Sequence, residues 1–159
     1  MAKAKSPVPE GQHTVSIHLN CKGAAQAIDF YTRAFGATEV SRFPGPDGSI
    51  MHATLKLGDS LFFLNDEMHG RSKSPTTLGG TPVTINLYVP DCDRTFRQAI
   101  SAGGKETMPM EDQFWGDRYG MITDPFGHLW AIATRKEDLT EREMAQRGQE
   151  FFQRMQQQH

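Results

Sequence analysis

The chain has no paired-cysteine motif, no long apolar run and no excess of basic charge, and each absence removes a class of function. Its two cysteines, Cys21 and Cys92, fit no Cys-x-x-Cys spacing. Neither a zinc ribbon nor a thioredoxin-type dithiol is therefore encoded, and both read as buried thiols of a reducing compartment. No apolar stretch approaches the ~20 residues of a membrane-spanning helix, and the opening MAKAKSPVPEGQ lacks the apolar centre of a signal peptide. The expected location is the cytoplasm, with no membrane partner. A net charge of -2 with 23% charged residues leaves no basic face to hold a polyphosphate backbone, which removes nucleic acid as a partner. Phosphate-binding loops, Ser-His-Asp signatures and paired-carboxylate motifs are also missing.

What is present is alternation. Over TVSIHLNC, Val15, Ile17, Leu19 and Cys21 fall on one face and Ser16, His18 and Asn20 on the other, the signature of a half-buried strand. The stretch GAAQAIDFYTRAFGA follows with apolar residues at helical spacing and Gly36 placed to end the helix. Two strands then flank PGPDG, and LGDSLFFLND supplies a turn and a short apolar strand. The order β-α-β-β-β recurs after a linker rich in Ser, Thr, Gly and Pro. PVTINLYV alternates as the first strand does, and DCDRTFRQAISAGG is a helix with Asp91 as N-cap and Gly103 and Gly104 as its stop. KETMPM, DRYGMIT and HLWAIAT are three further strands, the last two joined by DPFG in a type I turn. Leu19 and Leu87 are offset by about 68 residues, longer than solenoid repeats run.

The predicted organisation is a flexible arm over 1–13, a first module over 14–67, a linker over 68–81, a second module over 82–135 and a C-terminal helix over 136–159. The fold class is α+β: two tandem β-α-β-β-β modules forming a partly closed, curved mixed sheet around a central trough, with each helix covering one outer face. Ser16, His18, Asn20, Thr84, Asn86 and Tyr88 are expected to line the trough. In the terminal helix Thr140 and Glu143 are spaced as a capping box, and Met144, Phe151, Phe152 and Met155 form one stripe suited to packing on the sheet or on a second subunit.

AIDFYTRAFGA, PGPDGSIMHATLKLGDS, SPTTLGGTPVTINLYVPDCD and DQFWGDRYGMITDPFGHLWAIAT together resemble the vicinal oxygen chelate superfamily, in its PhnB-like, glyoxalase and bleomycin-resistance branch. The resemblance covers nearly all of 14–144. It implies either a metal enzyme or a drug-sequestering protein without catalysis, because one fold hosts many activities. The enzymes hold a divalent ion with four side chains, usually His or Gln, Glu, His and Glu, one from the first and last strand of each module; the ion then holds vicinal oxygens and stabilises an enediolate. Those positions fall here on Ser16, Phe63, Thr84 and Ala131, none a competent ligand. The strand HLWAIAT thus carries alanine at 131 and 133 where the chemistry calls for a carboxylate.

The leading expectation is non-catalytic capture of a small aromatic or amphipathic molecule, antibiotic-like, by Ser16, His18, Phe63, Asn86, Tyr88, Trp115, Tyr119 and Ala131, with no cofactor. Phe114, Trp115 and Tyr119 suit stacking on a flat or cationic ligand, or equally the seam with a partner. One alternative is a metal-dependent lyase, isomerase or transferase with a displaced divalent ion, His18 as one ligand and His52, Glu67 or His69 beside it. Another is an interaction module using the C-terminal helix. His128, on the side of Trp130, reads as structural. Cys92 stands at a helix start, where the dipole favours thiolate, but no histidine neighbours it in sequence. Asp117 and Arg118 read as a surface pair worth ~1 kcal/mol or less, or Arg118 as an anion contact. Resembling proteins commonly pair as homodimers, so a second copy is the expected partner.

Overall fold

The computed structural model describes residues 3–157; the first two positions of the expected arm and the last two of the expected helix lie outside the described residues. The elements are β1 (His18–Cys21), α1 (Ala24–Phe35), β2 (Thr38–Pro44), β3 (Ile50–Leu57), β4 (Ser60–Asp66), α2 (Pro75–Leu78), β5 (Thr84–Tyr88), α3 (Cys92–Ala102), β6 (Lys105–Asp112), β7 (Asp117–Thr123), β8 (Leu129–Arg135) and α4 (Glu141–Gln157). They form two four-stranded mixed sheets, ordered β1-β4-β3-β2 and β5-β8-β7-β6, not closed into a barrel. In each module the first strand runs parallel to the last and the other pairings are antiparallel.

The repeat is visible in the register. His18 stands beside Phe63 and Asn86 beside Ala131, the same step taken about 68 residues later. Helix starts are tied to the last strand at equivalent positions. Asp66 at the end of β4 accepts from the Gly23 and Ala24 amides at 3.0 and 2.7 Å, and Thr134 on β8 accepts from the Cys92 amide at 2.9 Å. These bonds satisfy amides that a first helical turn leaves without partners. Asp91 caps α3 through the Arg94 amide, and Gly36 and Gly103 end α1 and α3 with left-handed backbones. Thr140 and Glu143 form the reciprocal capping box of α4.

α1 and α3 each pack on their own sheet and also lie against one another. The core is shared across the modules: Trp130 of β8 lies 4.8 Å from Phe35 and 5.3 Å from Tyr31 of α1, ring centre to ring centre. A buried carboxylate locks this contact. Asp124, 3% exposed, accepts from the Phe126 and His128 amides on one oxygen and from Tyr31 Oη at 2.6 Å and Trp130 Nε1 at 2.9 Å on the other. Burial, with that carboxylate beside it, pushes the Tyr31 phenol well above its ordinary range.

The first strands differ from the sequence expectation. β1 begins only at His18, and Val15 and Ile17 are 84% and 40% exposed instead of buried; Val83, before β5, is 61% exposed. Their faces turn to the gap between the two sheets, where β1 and β5 are facing edges that share no ladder. The linker is ordered by an isolated bridge between Met68 and Ser72 and by α2. Pro75 sits against the turn between β7 and β8, where a Cβ on Gly127, φ +88°, would come within 2.9 Å of it. Glu67 Oε1 accepts from the Ser74 amide at 2.6 Å, and hydrogen bonds from Thr77 and Ser74 hold its carboxyl down at about 2.

Two outcomes follow from these ties. Asp124→Asn places an amide NH2 against two donors, and we expect a loss of about 3 kcal/mol in urea unfolding, from unmet buried donors; a loss under about 1 kcal/mol would mean the carboxylate is not the tie described. For Glu67 the folded pKa lies below the ordinary 4.5, so its stabilisation is present above that value and fades as pH falls towards about 2. The melting-temperature gap between wild type and Glu67→Gln should therefore close between about pH 5 and 2, and a gap that stays constant over that range would refute the assignment.

Candidate functional site

The edges of β1 and β5 bound a cleft with a cavity at each end. Ile17 and Ile85, equivalent in the repeat, line both cavities. One, of about 210 Å³, is bounded by 17–20 of the first strand, Val83, His128 and the linker residues Lys73, Pro75 and Leu78. The other, of about 550 Å³, is bounded by His13, Val15 and Ser16, the β3–β4 turn, 86–90, and the rings of Phe35, Phe62 and Trp130. The difference has a cause in the chain: α2 occupies the first end, and among the described residues no equivalent helix fills the second. A wall largely of aliphatic and aromatic side chains with a few polar groups is what a small-molecule site requires.

The expected site residues other than Ala131 divide into three groups. Ser16, Asn86 and Tyr88 do line the large cavity. Ser16 Oγ is engaged with Gln12 Oε1 at 2.8 Å. His18 lies at the smaller cavity and, with Phe63 and His52, forms an aromatic patch on the inner face of the first sheet, with ring centres 5.0 to 5.8 Å apart. His18 Nε2 is bonded to the buried Asn65 Oδ1, and burial beside His18 lowers the His52 pKa. Trp115 and Tyr119 form the third group: their rings meet edge to face at 5.5 Å, and Trp115 Nε1 and Tyr88 Oη both donate to Asp117 Oδ2, at 3.1 and 2.7 Å. That bond and partial burial raise the Tyr88 pKa, and burial raises that of Tyr119. Ala131 is fully buried and flanked by Asn86 and Met121, and Ala133 by Tyr88 and Tyr119.

Several details correct the sequence reading. Asp117 does not pair with Arg118; it is 6% exposed, while Arg118 forks onto Asp93 and reaches Asp112 on the outer side. Phe114 meets Trp115 edge to face at 5.1 Å and extends the aromatic group outward onto Phe151 and Phe152 of α4, with ring centres 5.1 and 6.3 Å away. Asp117, Phe35 and Trp130 were missed as site residues. Alternation could have found the first, because it shares a face of β7 with Tyr119 and Met121. Nothing in the local sequence shows that Phe35 and Trp130 meet across modules.

A metal at the family positions fails on donor chemistry. Phe63 and Ala131 offer no ligand atom, and Ser16 and Thr84 offer only neutral hydroxyls. At the displaced site His52 does approach His18, but Glu67 is turned into the linker. Among the described residues, no three His, Cys, Asp or Glu side chains converge to hold an ion. His128 is buried, with Nε2 towards the Asn20 carbonyl at 3.2 Å, and the Cys92 thiol is buried against the Arg118 carbonyl. Among the described residues no helix is long and apolar enough to cross a membrane.

Known proteins bear out this architecture. An uncharacterised protein of Mycobacterium tuberculosis (strain ATCC 25618 / H37Rv) is 50% identical over 122 residues, 74% of this chain and 72% of its own. The crystal structure of TioX from Micromonospora sp. ML1 superposes with a TM-score of 0.62 at 26% identity, over 80% of this chain and all of that one. The PhnB protein from Bacillus cereus shares the fold, with a TM-score of 0.59 at 18% identity over 77% of this chain and 99% of its own. The family model of the Glyoxalase/Bleomycin resistance protein/Dioxygenase superfamily matches residues 12–132. The chain belongs to that superfamily, the vicinal oxygen chelate proteins.

Proposed function

We propose that this protein captures a small molecule with an aromatic or aliphatic body and does not transform it. The observation that carries the reading is the cavity of about 550 Å³ walled by Phe35, Phe62, Trp130 and Leu87, with Ser16, Asn86 and Tyr88 as the polar groups that orient a ligand. The family positions for a metal support the same reading, because half of them carry no donor atom. A glyoxalase-type lyase or isomerase using His18 finds less support: His18, His52 and Asn65 lie on the inner face of the first sheet, and among the described residues no carboxylate is held with them.

A second copy is the partner we propose for that inner face. Phe43 is 64% exposed there and stands beside His52 in the β2–β3 register. An exposed apolar and aromatic sheet face of this kind marks an interaction surface, and a two-fold pair would bury the same patch on both copies.

Capture is tested with N-phenyl-1-naphthylamine, a neutral fluorescent probe, under saturating titration. We expect one site per chain, lost in Ile17→Trp, which fills the junction of the two cavities from a half-exposed position and so leaves the melting temperature within a few degrees. Binding that survives Ile17→Trp would place the ligand elsewhere. For the partner, sedimentation should give a dimer that Phe43→Lys returns to the 17.8 kDa monomer; a wild-type monomer at high micromolar concentration would end that part of the proposal.

A further inference from the structure

β1 is shorter than the alternation that encodes it. The pattern runs from Thr14 to Cys21, yet the ladder with β4 holds only His18–Cys21. Among the described residues the backbone groups of 13–16 make no hydrogen bond; the contact there is local, Ser16 Oγ donating to Gln12 Oε1 at 2.8 Å. The partner strand does extend further. β4 begins at Ser60, ahead of Phe63, which stands beside His18. Parallel pairing uses alternate residues, and here the Phe63 and Glu67 amides donate to the Ile17 and Cys21 carbonyls, each at 2.9 Å. The next step back along both strands would set the Leu61 amide on the Val15 carbonyl and the Ile17 amide on the Leu61 carbonyl. β3 does not use those Leu61 groups: beyond the two-residue turn at Gly58 and Asp59, Leu57 and Ser60 are the bonded pair, and Lys56 and Leu61 the non-bonded pair that follows.

The unpaired stretch is part of the wall of the large cavity. Val15 and Ser16 line it from one strand, and Ser60 and Leu61 from the other. Extending β1 would set Ile17 beside Phe62 and turn Val15 to the same face as Ile17 and Leu19, since alternate residues share a face. In the open form Val15 is 84% exposed. The missing backbone bonds alone would replace bonds to water and do not offset the ordering of the segment. An apolar molecule in the cavity changes the balance, because Val15 and Ile17 then have a surface to cover.

Resting on the capture reading above, we propose that residues 14–17 are a strap that closes over the occupant of the large cavity. With an apolar molecule bound against Phe35, Phe62 and Trp130, the segment joins β4 as an N-terminal extension of β1, and Val15 covers the molecule. Closure makes release slow.

The test is amide hydrogen exchange on the full chain, with and without saturating N-phenyl-1-naphthylamine, together with stopped-flow release of the probe. The Ile17 and Leu61 amides should exchange fast in the free protein and at least about tenfold more slowly with the probe bound. Val15→Ser, at an exposed position that leaves the melting temperature unchanged, should speed release about tenfold by removing apolar cover. Val8→Ser is the control: Val8 is also exposed on the arm but lies off the cavity wall, and its release rate should match the wild type. Probe that binds while Ile17 and Leu61 exchange as before, or release that Val15→Ser alters no more than Val8→Ser does, overturns the strap and leaves capture standing. Failure of the probe to bind overturns the strap and the capture reading together.

Discussion

The four hydrogen bonds onto Asp124 are the constraint on which the molecule depends. Two come from its own turn and fix the approach to β8; the other two, from Tyr31 and Trp130, bind a helix of the first module to a strand of the second. A carboxylate buried without these donors would cost several kcal/mol. With them it specifies one docking angle for the modules. Because the tie lies on the helical side, the edges of β1 and β5 need not form a ladder, and the cleft between them remains.

The repeat builds that cleft with two ends, and the linker makes the ends unequal. α2 and its Pro75 close on the β7–β8 turn, which accepts them because Gly127 has no Cβ at a point of near contact. At the equivalent β3–β4 turn the wall is left to His13, Val15 and the turn itself. One end is therefore narrow and the other large enough for a small molecule. Fusion of two equal modules thus yields a single ligand-sized space through a connecting segment and not through either module.

Much of this was legible in the chain. Alternation and capping residues placed both helices and most strand ends, since these depend on neighbours in sequence: Asp91, Gly36, Gly103 and the Thr140–Glu143 pair all act within a few residues. The faces of Val15, Ile17 and Val83 were read as core because alternation says which residues share a face and not what covers it. Among the described residues these three side chains border the cleft and no element covers them. The three-ring wall of Phe35, Phe62 and Trp130 was not legible, because it joins residues far apart through the docking of modules. Tyr88, Trp115 and Tyr119 were found as separate aromatics, but the carboxylate that draws two of them together was assigned to the surface.

That carboxylate explains one of the alanines of β8, Ala133. Tyr88 on β5 and Asp117 on β7 are separated by a whole strand, and their hydrogen bond must pass over the strand between. The residue that stands between Tyr88 and Tyr119 in the register is Ala133. A long side chain there would stand in the path of the Tyr88–Asp117 bond, and a glutamate would also set a second negative charge beside Asp117. Alanine leaves room for Tyr88 to reach across β8 to Asp117, and Ala133 is 3% exposed beneath it. The strand that lacks a metal-binding carboxylate is in this way the one that permits a carboxylate on its neighbour to be wrapped in rings. The inner face of the second sheet thus carries Tyr88 and Trp115 gathered on the Asp117 carboxylate beside a strand that itself has no acidic residue.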